Sequence, residues 1–235
     1  MYGFYYFDYT YFLFMMPALI ISLYAQFKVN STFAKYSKVR SANGLTGAEA
    51  AHKVLMTNDV AGVSVEHIRG DLNDHFDPRS NVIKLSDLVY SSASVAAVGV
   101  AAHEAGHAVQ HAQGYSPMKL RAALVPVTNI GSTLSMPLIF IGLLLPVQYD
   151  FIVMLGIALF SLAVIFQLVT LPVEFDASRR AIATLEQSRT LRGEELDGAK
   201  KVLKAAAMTY LAATFSSVMS LLRLLLIAGN RRGND

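Results

Sequence analysis

The 235-residue sequence predicts a mainly α-helical membrane protein with three to four transmembrane helices and a small α+β domain. Three observations indicate this class. Hydrophobic residues make up 54% of the chain and charged residues only 16%, whereas a typical soluble domain is about 25% charged. The apolar residues are gathered in four long uncharged stretches. Two more polar pieces, residues 30–120 and 174–204, lie between these stretches and together supply one small domain.

The first three uncharged stretches are each about as long as the roughly 20 residues that cross a bilayer as a helix. The first is Tyr9–Phe27, within an N-terminal transmembrane segment at residues 1–29. The next two, Ala122–Tyr149 and Phe151–Val173, are separated by a single charged residue. They therefore predict a transmembrane hairpin at residues 121–173.

The fourth stretch belongs to a C-terminal hydrophobic helix at residues 205–235. It is uncharged from Ala205 to Leu222 and continues beyond Arg223. A charged residue in the middle of a span costs a few kcal/mol. A helix that lies on the bilayer surface is therefore the alternative to a fourth span.

Lys and Arg residues near the spans predict the orientation of the chain. Those beside the two polar pieces are Lys28, Lys35, Lys38, Arg40, Lys119, Arg121, Arg179 and Arg180. Because positive residues favour the cytoplasmic side, we expect an outside N-terminus and both polar pieces in the cytoplasm. Arg231 and Arg232 conflict with this arrangement if the fourth stretch crosses the membrane.

Composition also excludes several kinds of site. The chain has no cysteine, which excludes disulfides, thiolate-bound zinc and thiol catalysis. Its net charge of +3 is small, and no basic stripe interleaved with aromatic residues is present. Nucleic acid is therefore not an expected partner, whereas the lipid bilayer is.

The first polar piece contains signals for one helix and two short strands. Thr46 and Glu49 form a capping-box pattern, which predicts that a helix begins there. Gly62–Ile68 alternates apolar and polar residues, as a half-buried strand does. Asn81–Ser86 predicts a second short strand, after a turn at Asp77–Ser80.

A longer helix between Ser91 and Gly114 carries the residues that indicate chemistry. It contains His103-Glu104-Ala105-Gly106-His107, an H-E-x-x-H pattern. Residues four apart lie on one helix face, so the two imidazoles can bind one Zn²⁺. Glu104 can then reach a zinc-bound water and accept its proton as the general base. The alternative is a coincidental pair of histidines on an amphipathic helix.

His111 adds a third histidine four residues further on. It lies about two turns from His103, so we expect it at the rim of the site or behind the ligands. Other candidates for a third ligand are His52, His67, His75 and the acidic residues. The hairpin favours Glu174, because its two ends return to the same membrane face near the zinc helix. The alternative role of Glu174 is an acidic residue favoured at a helix N-terminus.

These motifs resemble those of the bacterial YugP-type membrane zinc metallopeptidases. The resemblance covers most of the chain, including Asp71–Pro78 and Leu171–Arg180. More distantly the sequence is similar to HtpX-type membrane proteases, which share H-E-x-x-H, a hydrophobic pair and a later Glu. The resemblance implies a zincin-like domain with one catalytic Zn²⁺ held by His103, His107 and Glu174, and Glu104 as general base. It also implies that the strand at residues 81–86 is an edge on which an extended peptide docks.

The sequence departs from the HtpX-type pattern four residues after Glu174. An Asp that would orient a ligand histidine is replaced here by Ser178. Asp176 lies about 200° around the helix from Glu174, so it does not simply substitute. The candidates for stabilising an oxyanion are four further polar side chains, namely His75, Tyr90, Tyr115 and Arg179.

The sequence thus predicts an integral-membrane zinc endopeptidase of the bacterial cell membrane, with its active site on the cytoplasmic side. Its expected partners are a peptide or protein substrate, with membrane proteins among the candidates, and the bilayer. One alternative is a site-two-type intramembrane protease, in which Asp197 of Leu196-Asp197-Gly198 binds zinc. Another is a non-catalytic membrane protein whose structural zinc takes a fourth ligand such as His111.

Overall fold

The computed structural model describes residues 10–233, so positions 1–9 and 234–235 of the two predicted terminal segments lie outside the described residues. In chain order the elements are a π-helical turn (Tyr11–Met15), α1 (Met16–Tyr36), α2 (Gly47–Thr57), β1 (Ser64–His67), β2 (His75–Asp77), β3 (Val82–Leu85), α3 (Val95–Ala112), α4 (Ser116–Leu144), a 3₁₀ turn (Val147–Tyr149), α5 (Asp150–Gln187) and α6 (Gly193–Gly233).

Four helical segments are long and apolar enough to cross a membrane. They are Tyr11–Tyr36, Ser116–Leu144, Val147–Gln187 and Gly193–Arg231. The predicted class, a mainly α membrane protein with a small α+β part, is confirmed. Helices α5 and α6 each continue without a break between an apolar stretch and a polar piece.

The chain forms two compact units. Among the described residues, one contains 10–24, Leu120–Val169 and 210–233. Within it α4 and α5 pack closely through glycines: a Cβ placed on Gly156 would lie 2.6 Å from Cγ1 of Ile139. Small residues allow membrane helices to approach in this way.

Arg231 has a structural role in the same unit. Its guanidinium donates hydrogen bonds to the carbonyl oxygens of Gly142, at 2.6 Å, and Leu145, and it lies 4.0 Å from the Asp150 carboxylate. The last carbonyl groups of a helix lack partners within the helix, so the arginine satisfies groups at the end of α4. These contacts give a structural reason for the presence of Arg231, which conflicted with the orientation predicted from the Lys and Arg residues.

The other unit contains Ala25–Lys119 and Thr170–Thr209. Its centre is α3, a helix rich in alanine and valine that is buried along most of its length. The helix begins after Ser94, whose side chain accepts a hydrogen bond from the Ala97 N–H. It is followed by Gly114, whose φ of +66° suits a glycine.

A three-stranded sheet of order β1-β3-β2 lies in this unit. The strand β3 pairs in parallel with β1 and antiparallel with β2. The sequence predicted β1 and β3 but not β2. The implied docking edge at residues 81–86 is wrong, because both sides of β3 are occupied by neighbouring strands. The strand β2 is an edge of the sheet instead.

The predicted capping box at the start of α2 is confirmed. Oγ1 of Thr46 accepts a hydrogen bond from the N–H of Glu49, and the Glu49 carboxylate accepts one from the N–H of Thr46 at 2.8 Å. The buried face of α2 contributes Ala50, Val54 and Leu55 to the core around α3.

Candidate metal centre

Two helices bring together three side chains that could hold a metal ion. His103 and His107 lie one turn apart on α3, and Glu174 lies on α5. One carboxylate oxygen of Glu174 is 3.2 Å from Nε2 of His103 and 3.4 Å from Nε2 of His107. All three donor atoms lie within 4.8 Å of one another, and no other such group of three is found among residues 10–233. The structure thus brings together the three residues that the sequence analysis selected.

Gly106 explains how α5 comes so close to the H-E-x-x-H turn. A Cβ on this residue would lie 2.6 Å from the carbonyl oxygen of Ala177, which is closer than atoms can pack. Because Gly106 has no side chain, the backbone of α5 rests directly on α3 between the two histidines. Glu174 lies one turn before Ala177 on α5, so this close contact carries its carboxylate to the imidazoles.

The ring of His107 is held by Gln110, which is fully buried. The Gln110 amide nitrogen donates to the carbonyl oxygen of Val173 at 2.8 Å and to the Asp176 carboxylate at 2.9 Å. The amide oxygen therefore faces His107, whose Nδ1 lies 3.0 Å away. Since an amide oxygen only accepts, Nδ1 carries the proton, and the lone pair of Nε2 points towards Glu174.

The ring of His103 is held by Ser178, whose hydroxyl oxygen lies 3.1 Å from Nδ1. The hydroxyl oxygen can accept a hydrogen bond from Nδ1–H, which leaves the lone pair of Nε2 free for a metal. Ser178, which stands where the HtpX-type pattern has Asp, thus contacts His103 as a neutral group. Asp176 reaches the other histidine through Gln110, and the side chains of Arg179 and Arg180 pair with its carboxylate.

This donor set fits Zn²⁺. Two imidazoles and one carboxylate are a set that catalytic zinc uses, with further positions left for water or substrate. The hydrogen bonds to both Nδ1 atoms are the kind that orient metal-binding histidines. Burial by itself lowers the pKa of His107, but the hydrogen bond that the protonated ring donates to Glu174 and the charges of Glu104 and Glu174 raise the pKa above its ordinary value. The electrostatic potential at the centre is therefore negative and attracts a cation.

Glu104 lies beside the donors without being one of them. Its side chain is buried, and one carboxylate oxygen accepts a hydrogen bond of 3.0 Å from the N–H of Phe76 on β2. The ring of Phe76 also contacts that of His111, with centroids 5.7 Å apart. The edge strand β2 is therefore attached to the H-E-x-x-H helix at the glutamate.

The other histidines lie outside the group of three donors. His111 and His52 are exposed, and Nδ1 of His75 donates to the carbonyl oxygen of Asn73 at 2.9 Å. His67 is bound to the Asp87 carboxylate at 2.6 Å. Side-chain partners thus account for the position of His67 without a metal.

The remaining candidates make local contacts. Asp197 is exposed and lies 3.6 Å from Nζ of Lys200, outside the donor group. Tyr90 packs on the ring of His67 at 5.3 Å, and the Tyr115 ring lies 5.6 Å from the Arg180 guanidinium. We therefore assign no metal-binding role to Asp197 and no oxyanion role to Tyr90 or Tyr115.

Sequence analysis missed Gln110 and the strand β2. A signal for Gln110 was present, because a residue three positions after His107 lies on the same helix face, and a polar residue is unusual on this apolar helix. The strand β2 has only three residues, and an adjacent Pro78 obscures its pattern.

Comparison with known proteins agrees with this site. The family model described as "Putative neutral zinc metallopeptidase" matches residues 11–229. The chain is 47% identical to "Putative membrane protease YugP" of Bacillus subtilis (strain 168) over 220 residues, which cover 94% of this chain and 97% of that protein. No solved structure gives a significant match. With both the family model and this relative covering nearly its whole length, the chain belongs to the family of neutral zinc metallopeptidases and is a membrane protein with Zn²⁺ as its cofactor.

Proposed function

We propose that this protein is an endopeptidase in which His103, His107 and Glu174 hold one Zn²⁺ and Glu104 is the general base. The observation that carries the proposal is the meeting of two imidazole nitrogens and one carboxylate oxygen within 4.8 Å. Glu104 follows the first of these histidines and is buried beside them. The Lys and Arg residues flanking the spans support an active site on the cytoplasmic side.

Bound zinc would supply Lewis acidity, which polarises the scissile carbonyl and makes water a better nucleophile at neutral pH. Glu104 accepts the proton of the attacking water and passes it to the departing amine. The Phe76 N–H binds one oxygen of this carboxylate and leaves the other oxygen for the proton. Gln110 and Ser178 keep the two imidazoles turned towards Glu174 by binding their Nδ1 atoms.

The edge strand β2 is the place for an extended substrate. It borders Glu104 at Phe76 and has a sheet neighbour only on the β3 side among the described strands. A peptide that lies along β2 has its backbone beside the general base. We therefore assign to β2 the docking role that the family resemblance had implied for β3.

Replacement of Glu104 by Gln tests the proposal. Purified Glu104→Gln should keep near one zinc per chain and lose at least about a hundredfold of its activity on fluorescent casein, because general-base catalysis contributes that much or more. Glu174→Ala is the matched variant that should lose zinc. If Glu104→Gln keeps wild-type proteolysis, the proposed mechanism is wrong.

Two alternatives lack support from the geometry. A site-two-type centre needs Asp197 at the metal, but this side chain is exposed and pairs with Lys200. A structural zinc site usually has four protein ligands, and His111 does not join the three donors. Three donors with a buried glutamate beside them favour a catalytic centre.

A further inference from the structure

A basic cavity of about 510 Å³ lies between α1 and α6 in the unit that holds the metal centre. We call it the lysine groove. Four lysines and three hydroxyl residues supply its polar lining, namely Lys28, Lys35, Lys201, Lys204, Ser31, Thr32 and Tyr36. The Ser31 hydroxyl donates to the carbonyl oxygen of Lys28 at 3.2 Å. No acidic side chain is among the described residues that line it.

The charges of the lysine groove are not neutralised within the described part of the chain. None of its four lysines forms an ion pair there, whereas the neighbouring Lys200 pairs with Asp197 at 3.6 Å. Nζ of Lys35 lies 5.5 Å from the centre of the Tyr36 ring, which is a cation–π contact and leaves the positive charge in place. Four positive charges around one cavity of this size attract an anion.

The position of these lysines along the helices indicates which anion. Lys28 directly follows the uncharged stretch that ends at Phe27, and Lys204 directly precedes the one that begins at Ala205. With a rise of 1.5 Å per residue, Lys35 and Lys201 lie within about 11 Å of these boundaries along the helix axes. The lysine groove is therefore at the level where a bilayer has its headgroups.

We propose that the lysine groove binds the phosphate headgroup of an anionic phospholipid. The four ammonium groups supply the donors that the oxygens of a phosphodiester accept. Apolar surface from Ala205 and Met208 lies in the same cavity and suits the glycerol backbone and the first acyl carbons. An acidic peptide would need the charges but not this apolar surface next to the spans, so the lipid fits the lining better. Basic pockets between membrane helices recognise anionic headgroups in this way.

The test uses the full chain in neutral maltoside micelles, with bound lipid counted by native mass spectrometry. Phosphatidylglycerol and phosphatidylcholine with identical acyl chains are titrated in parallel. We expect phosphatidylglycerol to bind preferentially and more weakly as the salt concentration rises. The double variant Lys28→Gln with Lys204→Gln, one change on each helix, should weaken its binding about thirtyfold.

A matched control removes the same charge elsewhere in the unit. Lys53→Gln with Arg79→Gln changes α2 and the turn after β2, which do not line the groove, and should bind like the wild type. The charge-conserving pair Lys28→Arg with Lys204→Arg should also bind, and circular dichroism of all variants verifies folding.

Several outcomes would overturn the proposal. Equal binding of both lipids, or equal losses in the groove and control variants, would mean that the groove does not select an anionic headgroup. Inorganic phosphate that binds alone with the same dependence on the lysines would identify a site for a free anion. Preferential binding of a polyglutamate peptide would identify a docking site for acidic protein segments.

Discussion

Replacement of Gln110 by Leu should weaken zinc binding without removing a ligand. The side chain is fully buried and makes three hydrogen bonds, to His107 at 3.0 Å, to the Val173 carbonyl at 2.8 Å and to Asp176 at 2.9 Å. Leucine has a similar size but accepts no hydrogen bond. The Nδ1–H of His107 would then lack its acceptor, and the ring would no longer be held in the metal-binding tautomer.

The magnitude follows from these contacts. Loss of a hydrogen-bond partner behind a metal-binding histidine lowers metal affinity by roughly 10- to 100-fold, which is about 1.4–2.7 kcal/mol of binding free energy. The unpaired buried N–H should also lower the free energy of unfolding of the zinc-free protein by about 1–3 kcal/mol. Loss of the Gln110 hydrogen bond affects the Asp176 carboxylate less, because Arg179 and Arg180 still pair with it.

The assay is competition for zinc between the purified protein and a chromophoric chelator, beside thermal unfolding of the zinc-free protein. Gln113→Leu is the control. Gln113 lies three residues after Gln110, but it is exposed, and its amide oxygen accepts a hydrogen bond from Arg180. Zinc affinity of Gln110→Leu equal to that of Gln113→Leu would refute the positioning role. A lower unfolding temperature alone would indicate a role in packing only.

Two further predictions concern packing and pH. Gly106→Ala places a methyl group 2.6 Å from the Ala177 carbonyl oxygen, so we expect a loss of about 1–3 kcal/mol in the free energy of unfolding and weaker zinc binding. Gly99→Ala is the control and should be tolerated, because the added methyl group would lie 3.4 Å from its nearest neighbour atom. Equal unfolding temperatures of the two variants would contradict this prediction. Burial raises the pKa of Asp74, against the hydrogen bonds from Ser86, so the folded zinc-free protein binds this proton more tightly than the unfolded chain does. The contribution of Asp74 to the free energy of unfolding should therefore fall as pH rises from the unfolded pKa of about 3.9 through the raised folded pKa. Carboxyls with a lowered pKa, such as Asp77 and Asp87, act in the opposite direction, so the quantity to measure is the difference in stability between the wild type and Asp74→Asn. The stability of the wild type minus that of the variant should fall as pH rises across this range, as thermal unfolding of both proteins in a pH series will measure.

Local spacing was sufficient to predict the donors on α3. His103 and His107 are four residues apart, and any helix places such residues on one face. Glu174 required one further argument, the return of a hairpin to the membrane face it left. That argument needs only the lengths of two apolar stretches, which the sequence displays directly.

The sheet could not be predicted in the same way. Pairing depends on contacts between strands and not on the pattern within one of them, so the sequence could not show that β3 is central. The strand β2 has three residues, too few for an alternating pattern. The link from Gln110 to Asp176 spans 66 positions, and only the packing of α5 on α3 reveals it.

The neutral partners of the two histidines have a consequence for the charge of the centre. Ser178 and Gln110 bind the Nδ1 atoms, and Asp176 lies behind Gln110 with its own charge paired to Arg179 and Arg180. Glu174 is therefore the only anionic side chain among the three donors. If these three residues hold the divalent cation, as we propose, one carboxylate and two neutral imidazoles would leave a net positive charge on the metal and its ligands, which would favour polarisation of a substrate carbonyl. An aspartate at position 178 would add a negative charge beside His103, whereas the serine found here contacts Nδ1 without adding one.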